Sequence, residues 1–424
     1  MFTWRKKINP LPVLFFTVFM DLLGFGILIP ILPQLLGNPS SPFYLLAKNT
    51  SATHGYILLG LLLASFPLAQ FICTPILGQL SDAYGRRRII LLSVTGTALA
   101  YVAFALGVEW HSVVVLFASR LFAGATGGNV SASQAAVADI TPPADRAKNF
   151  GLIVAASGLG FIIGPYLGGV LSDPSLVSWF NAATPFWCAA LFSFINVISI
   201  FTFFPETLKK IKNGFTLRWH AALINLKKAW NLEALRTLFG TLFLFNMGLS
   251  FLITFVGVFL IAKFSFTQTR IGEYYAFAGL CIALSQALLP RILSKRYGDL
   301  SVLKVCLLGS GLGILFLFFV PVVWMLWAAT PIFCILIGLV QAHAASTISR
   351  SAGADIQGEV FGINASLVAL SQTIPPIFSG LAAAWFSPEA PVLLSSLFML
   401  VAGVIFLWLS RRTPHHHSTI ELKN

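Results

Sequence analysis

Long apolar runs, separated by short charged or proline-rich connections, dominate the chain. About 20 apolar residues in a helix cross a bilayer, and twelve runs reach that length. We place the predicted spans at 11–34, 56–79, 89–108, 113–138, 149–171, 183–204, 238–261, 273–293, 302–323, 326–348, 360–386 and 391–410. The pattern predicts an all-α polytopic membrane protein with 12 transmembrane helices.

Composition supports the same class. Of the 424 residues, 57% are hydrophobic and only 10% are charged, whereas about a quarter of the residues of a soluble domain are charged. This balance argues against a soluble enzyme of two or three domains.

The net charge of +13 is concentrated in the connections and predicts the topology. If both termini are cytoplasmic, only Lys48, Lys263 and Arg270 lie on the external side, and Arg120 lies within a span. The other 23 of the 27 basic residues then lie on the cytoplasmic side. The positive-inside bias therefore favours two cytoplasmic termini. The basic charge does not require a nucleic-acid partner.

Residues 205–237 form the longest predicted internal connection and divide the chain. Trp219, Leu223, Leu226 and Trp230 recur there at three- and four-residue steps between lysines, which favours an amphipathic helix on the membrane surface. We therefore predict an N-terminal six-helix lobe at 1–204, this linker at 205–237, and a C-terminal six-helix lobe at 238–424.

Two short patterns recur half a chain apart. Leu80-Ser81-x-x-Tyr84-Gly85 returns 213 residues later as Leu293-Ser294-x-x-Tyr297-Gly298, and Pro165 and Gly169 return 211 residues later as Pro376 and Gly380. A duplicated six-helix unit is the internal-repeat architecture of secondary transporters. The repeat predicts two pseudo-symmetric lobes around a central cavity.

The sequence contains no motif for enzyme or metal chemistry. There is no P-loop, GxSxG, HExxH or metal-ligand cluster, and the five cysteines lie in apolar runs without a CxxC pair. We therefore predict no enzymatic activity, no metal site and no cofactor other than a proton as coupling ion.

Several motifs resemble the major facilitator superfamily, in particular its 12-span drug/proton antiporters and the tetracycline efflux proteins among them. The matching segments are Gly78 to Arg88 (motif A), Asp21-x-x-Gly24-Phe25-Gly26-x-x-x-Pro30-x-x-Pro33, Arg120-Leu121-Phe122-Ala123-Gly124-x-x-Gly127 (motif B), Gly160-x-x-x-Gly164-Pro165-x-x-Gly168-Gly169 (motif C), the run from Ala138 to Leu152, Pro205-Glu206 and Gln357-Gly358. The resemblance covers nearly the whole chain and is densest in residues 18–207.

Asp21 is the only acidic residue near the middle of a predicted span. An intramembrane charge is costly and usually functional, and the resemblance implies that Asp21 carries the coupled proton. The alternative is a permanent ion pair with Arg120 that fixes helix packing. For Arg120 the resemblance implies a part in proton transfer, and structural pairing or binding of an anionic substrate group are the other interpretations.

Motif A lies between spans two and three. Gly85 permits a tight turn, Asp82 suits the positive end of a helix, and Gly78 belongs to the same pattern. The resemblance implies that Asp82 contacts span eleven, while Arg86 is placed to pair with Asp139. We expect these contacts to form a latch that holds the outward-facing state.

Motif C, with Gly160, Gly164, Pro165, Gly168 and Gly169, allows close helix approach. Close packing of small residues explains these glycines equally well. The resemblance to antiporters implies in addition that the protein exports its substrate and does not take it up. Seven polar residues within spans are candidate cavity contacts or, equally, hydrogen-bonding links between helices: Gln70, Asn129, Gln134, Asn246, Gln286, His343 and Gln372. For His343 a hydrogen-bonded core position is the favoured interpretation.

These observations favour a proton-coupled transporter that exports a small amphipathic compound by alternating access, with a tetracycline-like drug as the first candidate. The alternatives are an importer or symporter, a siderophore or metabolite transporter on the same fold, and a receptor that does not transport. We expect a monomer in a bacterial inner membrane, with a small molecule, protons and the bilayer as its partners.

Overall fold

The computed structural model describes residues 10–47, 50–142, 145–208, 233–351 and 357–412. Twelve helical segments within these ranges are long and apolar enough to cross a membrane, which confirms the predicted architecture. No strand occurs in the described ranges. The linker helix predicted around Trp219 to Trp230 lies outside them.

The described helices fall into two halves of seven, on either side of residues 209–232. Those of the first half are α1 (Leu11–Leu28), α2 (Ala52–Tyr84), α3 (Arg86–Glu109), α4 (Val113–Thr126), α5 (Asn129–Ile140), α6 (Arg146–Leu171) and α7 (Thr184–Phe203). Those of the second half are α8 (Glu233–Phe264), α9 (Gln268–Leu288), α10 (Pro290–Tyr297), α11 (Asp299–Phe319), α12 (Val323–Ser351), α13 (Gln357–Trp385) and α14 (Ala390–Arg412). We call the bundle end where α2 meets α3 the Gly85 end, and the end where α3 meets α4 the His111 end.

Proline and glycine interrupt three of the predicted spans. Beyond α1 the first span passes Pro30 and continues as a π-helical turn, Pro33–Gly37, because proline removes a backbone donor. The fourth span divides into α4 and α5 at Gly127 and Gly128, where the sequence analysis predicted one helix. The eighth span begins earlier than predicted, at Gln268, and is followed by α10 at Pro290.

The outward surface of the bundle is apolar. Large side chains such as Val154, Ile198, Val305 and Phe316 are more than half exposed. Soluble monomers rarely expose contiguous apolar surface on this scale. Helices that satisfy their own backbone groups and present such a surface are suited to lipid. The protein is thus a multi-pass integral membrane protein.

The two lobes meet along two helix pairs, α2 with α13 and α6 with α9. Glycine makes the approach close: a Cβ atom on Gly60 would lie 2.5 Å from the carbonyl oxygen of Pro376, and one on Gly272 would lie 2.4 Å from that of Pro165. These contacts lie nearer the His111 end, so the lobes are joined there.

Candidate functional site

A cavity of about 310 Å³ lies between the lobes. Residues of α1 to α4 and α6 line it from one lobe, and residues of α8 and α13 line it from the other. Its volume is near the lower limit of small-molecule sites, which occupy roughly 300–1,000 Å³. Asp21 and Arg120 are the only charged side chains among the lining residues that the structure describes.

Asp21 projects from the middle of α1, one turn before a close approach of α3. A Cβ atom on Gly24 would overlap the hydroxyl of Tyr101, at 2.1 Å. The glycine therefore lets Tyr101 pack against α1 beside the carboxylate, and Tyr101 lines the same cavity. Gly24, three residues after Asp21, thus leaves the space that Tyr101 occupies.

Arg120, on α4, is only 4% exposed and lies among aromatic rings. Its guanidinium carbon is 4.9 Å from the ring centre of Phe104, 5.7 Å from that of Tyr101 and 5.9 Å from that of Phe66. Aromatic faces attract cations at these distances. The rings stabilise the buried positive charge through their faces, and none of them was predicted from the sequence as part of the site.

The seven polar candidates separate into three groups. Gln70, Asn246 and Gln372 line the cavity. The side chain of Asn129 lies outside the described part of the structure. Gln134, Gln286 and His343 do not line the cavity in this conformation: Gln134 is exposed, and Gln286 donates a hydrogen bond to Gln341 at 2.7 Å.

His343 does not line the cavity but belongs to a separate buried cluster, the kind of hydrogen-bonded core position that the sequence favoured for it over a cavity contact. Its Nδ1 lies 2.8 Å from Oδ1 of Asp299, which also accepts a hydrogen bond from Ser294. Ser346 and Arg350 contact the other carboxylate oxygen. This cluster joins α10, α11 and α12 at the Gly85 end of the second lobe. The internal repeat was the sequence feature that could have pointed to this cluster, because Asp299 follows Gly298 in the second half as Arg86 follows Gly85 in the first.

The motif A residues meet at the turn between α2 and α3. Gly85 has φ +101°, a conformation that L side chains rarely adopt. Arg86 contacts Asp139 at 3.1 Å and Asp82 at 2.6 Å. The side chain of Asp82 is half exposed. Its predicted contact with span eleven stays a prediction, since most side chains in the first turns of that helix, those of residues 357–359, 361 and 362, lie outside the described part of the structure.

Glu206 caps this turn, a role that the sequence analysis did not predict. Its carboxylate accepts hydrogen bonds from the backbone N–H groups of Arg86, at 2.9 Å, and Arg87, at 3.2 Å. These are free N–H groups at the start of α3, where a carboxylate is favoured. Glu206 thus ties the end of α7 to the motif A turn.

Replacing Gly85 with alanine should destabilise the protein by about 1–3 kcal/mol, the cost of holding a side chain in this backbone region. A Cβ atom there would also lie 2.4 Å from Oε2 of Glu206. Thermal unfolding of the purified protein in detergent measures the effect. Gly78→Ala is the matched control, because a Cβ atom on Gly78 meets nothing within 4 Å. Equal stability of the two variants would contradict the expectation.

Motif C makes α6 a spacer between α1 and α9. Cβ atoms on Gly160, Gly164 and Gly168 would lie 2.3–2.6 Å from backbone oxygens of α1. A neighbouring face of α6 meets the second lobe, where a Cβ atom on Gly169 would lie 2.7 Å from the carbonyl oxygen of Gln268. The motif therefore packs the helix that carries Asp21 against one face of α6 and the other lobe against the adjacent face.

Hydrogen bonds reinforce the lobe contact at the His111 end. Thr269 Oγ1 donates to Asp173 Oδ2 at 2.6 Å, and Gln34 Nε2 donates to the carbonyl of Phe266 at 3.3 Å. Burial disfavours the charged carboxylate of Asp173, but hydrogen bonds from Thr269 and Ser175 outweigh it and lower its pKa. Asp173 is therefore charged at neutral pH when it accepts the bond from the other lobe.

Known proteins share this sequence and this fold. A family model for the Major Facilitator Superfamily matches residues 14–376 and 293–423. The class C tetracycline resistance protein of Escherichia coli is 31% identical over 375 residues, which cover 88% of this chain and 89% of its own. Major facilitator superfamily domain-containing protein 10 of Mus musculus is 30% identical over 465 residues, covering 96% and 95%.

Among solved structures, that of the human organic anion transporter MFSD10 (TETRAN) matches with a TM-score of 0.70 and 26% identity, covering 94% of this chain and 98% of that one. The D-xylose-proton symporter matches with a TM-score of 0.74 at 14% identity, covering 93% and 96%; this likeness concerns the fold alone. The fold and cavity are those of a membrane transporter, not of an enzyme. The chain belongs to the Major Facilitator Superfamily.

Proposed function

We propose that the protein is a proton-coupled exporter of a small amphipathic compound, with a tetracycline-like drug as the first candidate. The observation that supports this most directly is Asp21, a carboxylate on the wall of a largely apolar cavity between two lobes. An acidic group buried within a membrane protein is a natural site for proton loading and release. The tetracycline resistance relative supports the substrate class.

The proton gradient supplies enough free energy for this task. One charge moving down 100 mV releases about 2.3 kcal/mol, and one pH unit adds about 1.4 kcal/mol. Together they sustain a substrate gradient on the order of a few hundredfold. A single proton exchanged at Asp21 therefore suffices for useful export.

In this proposal the Gly85 end faces the cytoplasm of a bacterium, with both termini inside, and the protein acts as a monomer in the inner membrane. The positive-inside bias supports this orientation. The contacts at Gly60 and Gly272 then close the cavity on the external side. Rocking of the lobes would break them and bring motif A of the first lobe toward the second.

A second candidate is proton-linked transport of an organic anion, with uptake as one possible direction. It is favoured by Arg120, a buried cation on the cavity wall, and by a relative whose solved structure is described as an organic anion transporter. The two candidates differ in substrate charge and in the direction of the coupled proton.

Accumulation of tetracycline in inverted membrane vesicles with an imposed proton gradient tests the proposal. Export predicts uptake into these vesicles that stops when a protonophore collapses the gradient. Vesicles without the protein are the control. Accumulation in right-side-out vesicles instead would establish import, whereas ligand binding without flux in either preparation would favour a receptor.

A further inference from the structure

Arg120 has hydrogen-bonding capacity that the described protein does not use. Its side chain is 4% exposed, yet Nε and Nη2 are buried and have no hydrogen-bond partner among the described residues. A buried charged donor without a partner is strongly destabilising. A protein keeps such a group where something else supplies the missing acceptor.

The aromatic rings around Arg120 do not supply it. Phe104, Tyr101 and Phe66 stabilise the positive charge through their ring faces, but the N–H groups still require oxygen acceptors in the guanidinium plane. The guanidinium of arginine is a rigid fork that matches the two oxygens of a carboxylate or sulfonate. Arg120 also lines the cavity between the lobes, so the cavity is where such an acceptor would lie.

We propose that Arg120 binds an anionic group of the transported compound, so that the substrate is an amphipathic molecule bearing an ionised acidic group, of which a carboxylate is the simplest example. This rests on the proposed function, because it assigns the substrate to the same cavity. Arg120 is then a substrate-binding residue that selects by charge and not only a helix-packing residue.

The rest of the cavity suits the apolar body of such a molecule. Phe25, Phe66 and Phe161 line it from the first lobe, and Leu249 and Ile253 line it from the second. A compound held by Arg120 at one end therefore contacts both lobes through its apolar part. The polar side chains Gln70 and Gln372 are placed for weaker, orienting hydrogen bonds.

The charge of the substrate then determines whether it moves in the same direction as the coupled proton or in the opposite direction. The titratable and charged groups that face the cavity from all lining helices are Asp21, Arg120 and the phenol of Tyr101. An anion on Arg120 repels the Asp21 carboxylate and so favours its protonation, whereas a cationic group of the substrate competes with the proton. Proton antiport therefore requires a substrate that carries a cationic group beside its anion, and a purely anionic compound is expected to move together with the proton.

A matched pair of ligands tests the anion site on the whole protein in lipid nanodiscs. N-acetylnaphthylalanine carries a carboxylate, and its carboxamide is the neutral analogue with the same apolar body. We expect wild-type protein to bind the carboxylate on the order of tenfold to a hundredfold more tightly, as for a hydrogen bond to a charged group. Arg120→Gln should abolish this preference without weakening binding of the amide, and Arg120→Lys should retain part of it.

Equal affinity of the wild type for both ligands, or no measurable binding of the carboxylate, overturns the proposal. Preference for the carboxylate retained in Arg120→Gln overturns it too. If Arg120→Gln does not fold, the wild-type comparison and Arg120→Lys still decide. Asp21→Asn should bind the carboxylate at least as tightly as wild type, because it removes a nearby negative charge. A carboxylate preference without any proton-driven flux would reject the proposed function but keep the anion site.

Discussion

Asp21→Asn should reduce proton-driven transport to the background of vesicles without the protein, while the twelve-helix bundle stays folded. The substitution keeps the shape of the side chain but removes the only acidic group that lines the cavity in the described structure. A carboxamide does not take up or release a proton in the physiological range, so the coupled step is lost. Binding of a neutral amphipathic ligand does not need that proton and should persist.

Two measurements on reconstituted protein separate loss of coupling from loss of folding. The first is substrate accumulation driven by an imposed pH gradient, which should disappear. The second is exchange of labelled for unlabelled substrate without a gradient, which should continue. Glu273→Gln is the matched control, since it makes the same change at an exposed position of α9. Wild-type accumulation by Asp21→Asn would remove Asp21 from the mechanism.

The twelve spans were predictable from sequence because a bilayer imposes one strong requirement. Each span needs about 20 apolar residues, and every residue of the run contributes to its hydropathy, so the run is easily recognised in the sequence. The breaks within spans were less predictable. Glycines at 127 and 128 are compatible with a continuous helix, and only the structure shows that α4 ends and α5 begins there.

The charged residues of the cavity were predictable, but their surroundings were not. Asp21 and Arg120 are conspicuous because charges within spans are rare. The rings around Arg120 come from α2 and α3, where apolar residues that face lipid and those that face the cavity look alike in the sequence. His343 shows the limit for a structural residue: the sequence favoured a hydrogen-bonded core position, but its partner Asp299 lies 44 residues away and could not be named from the sequence.

The lobe contact at the His111 end leads to a second expected loss of transport, in Gly60→Leu. A Cβ atom on Gly60 would lie 2.5 Å from the backbone oxygen of Pro376, and one on Gly380 would lie 2.6 Å from that of Tyr56. Backbone atoms on both sides cannot yield as a flexible side chain would. Overpacking of this kind costs about 1–3 kcal/mol, so the population of the state closed at this end should fall by roughly fivefold to a hundredfold.

Because alternating access requires both states, Gly60→Leu should hold the lobes apart at the His111 end for most of the time and reduce net transport by a similar factor. Spin labels on cysteines at Ser178 and Val322, which are exposed at this end of the two lobes, report the separation in a variant lacking the native cysteines. We expect their distance to increase in Gly60→Leu. It should not change in Gly240→Leu, where a Cβ atom meets nothing within 4 Å. Normal transport with an unchanged distance would mean that the glycine contact between α2 and α13 is not needed to close the cavity.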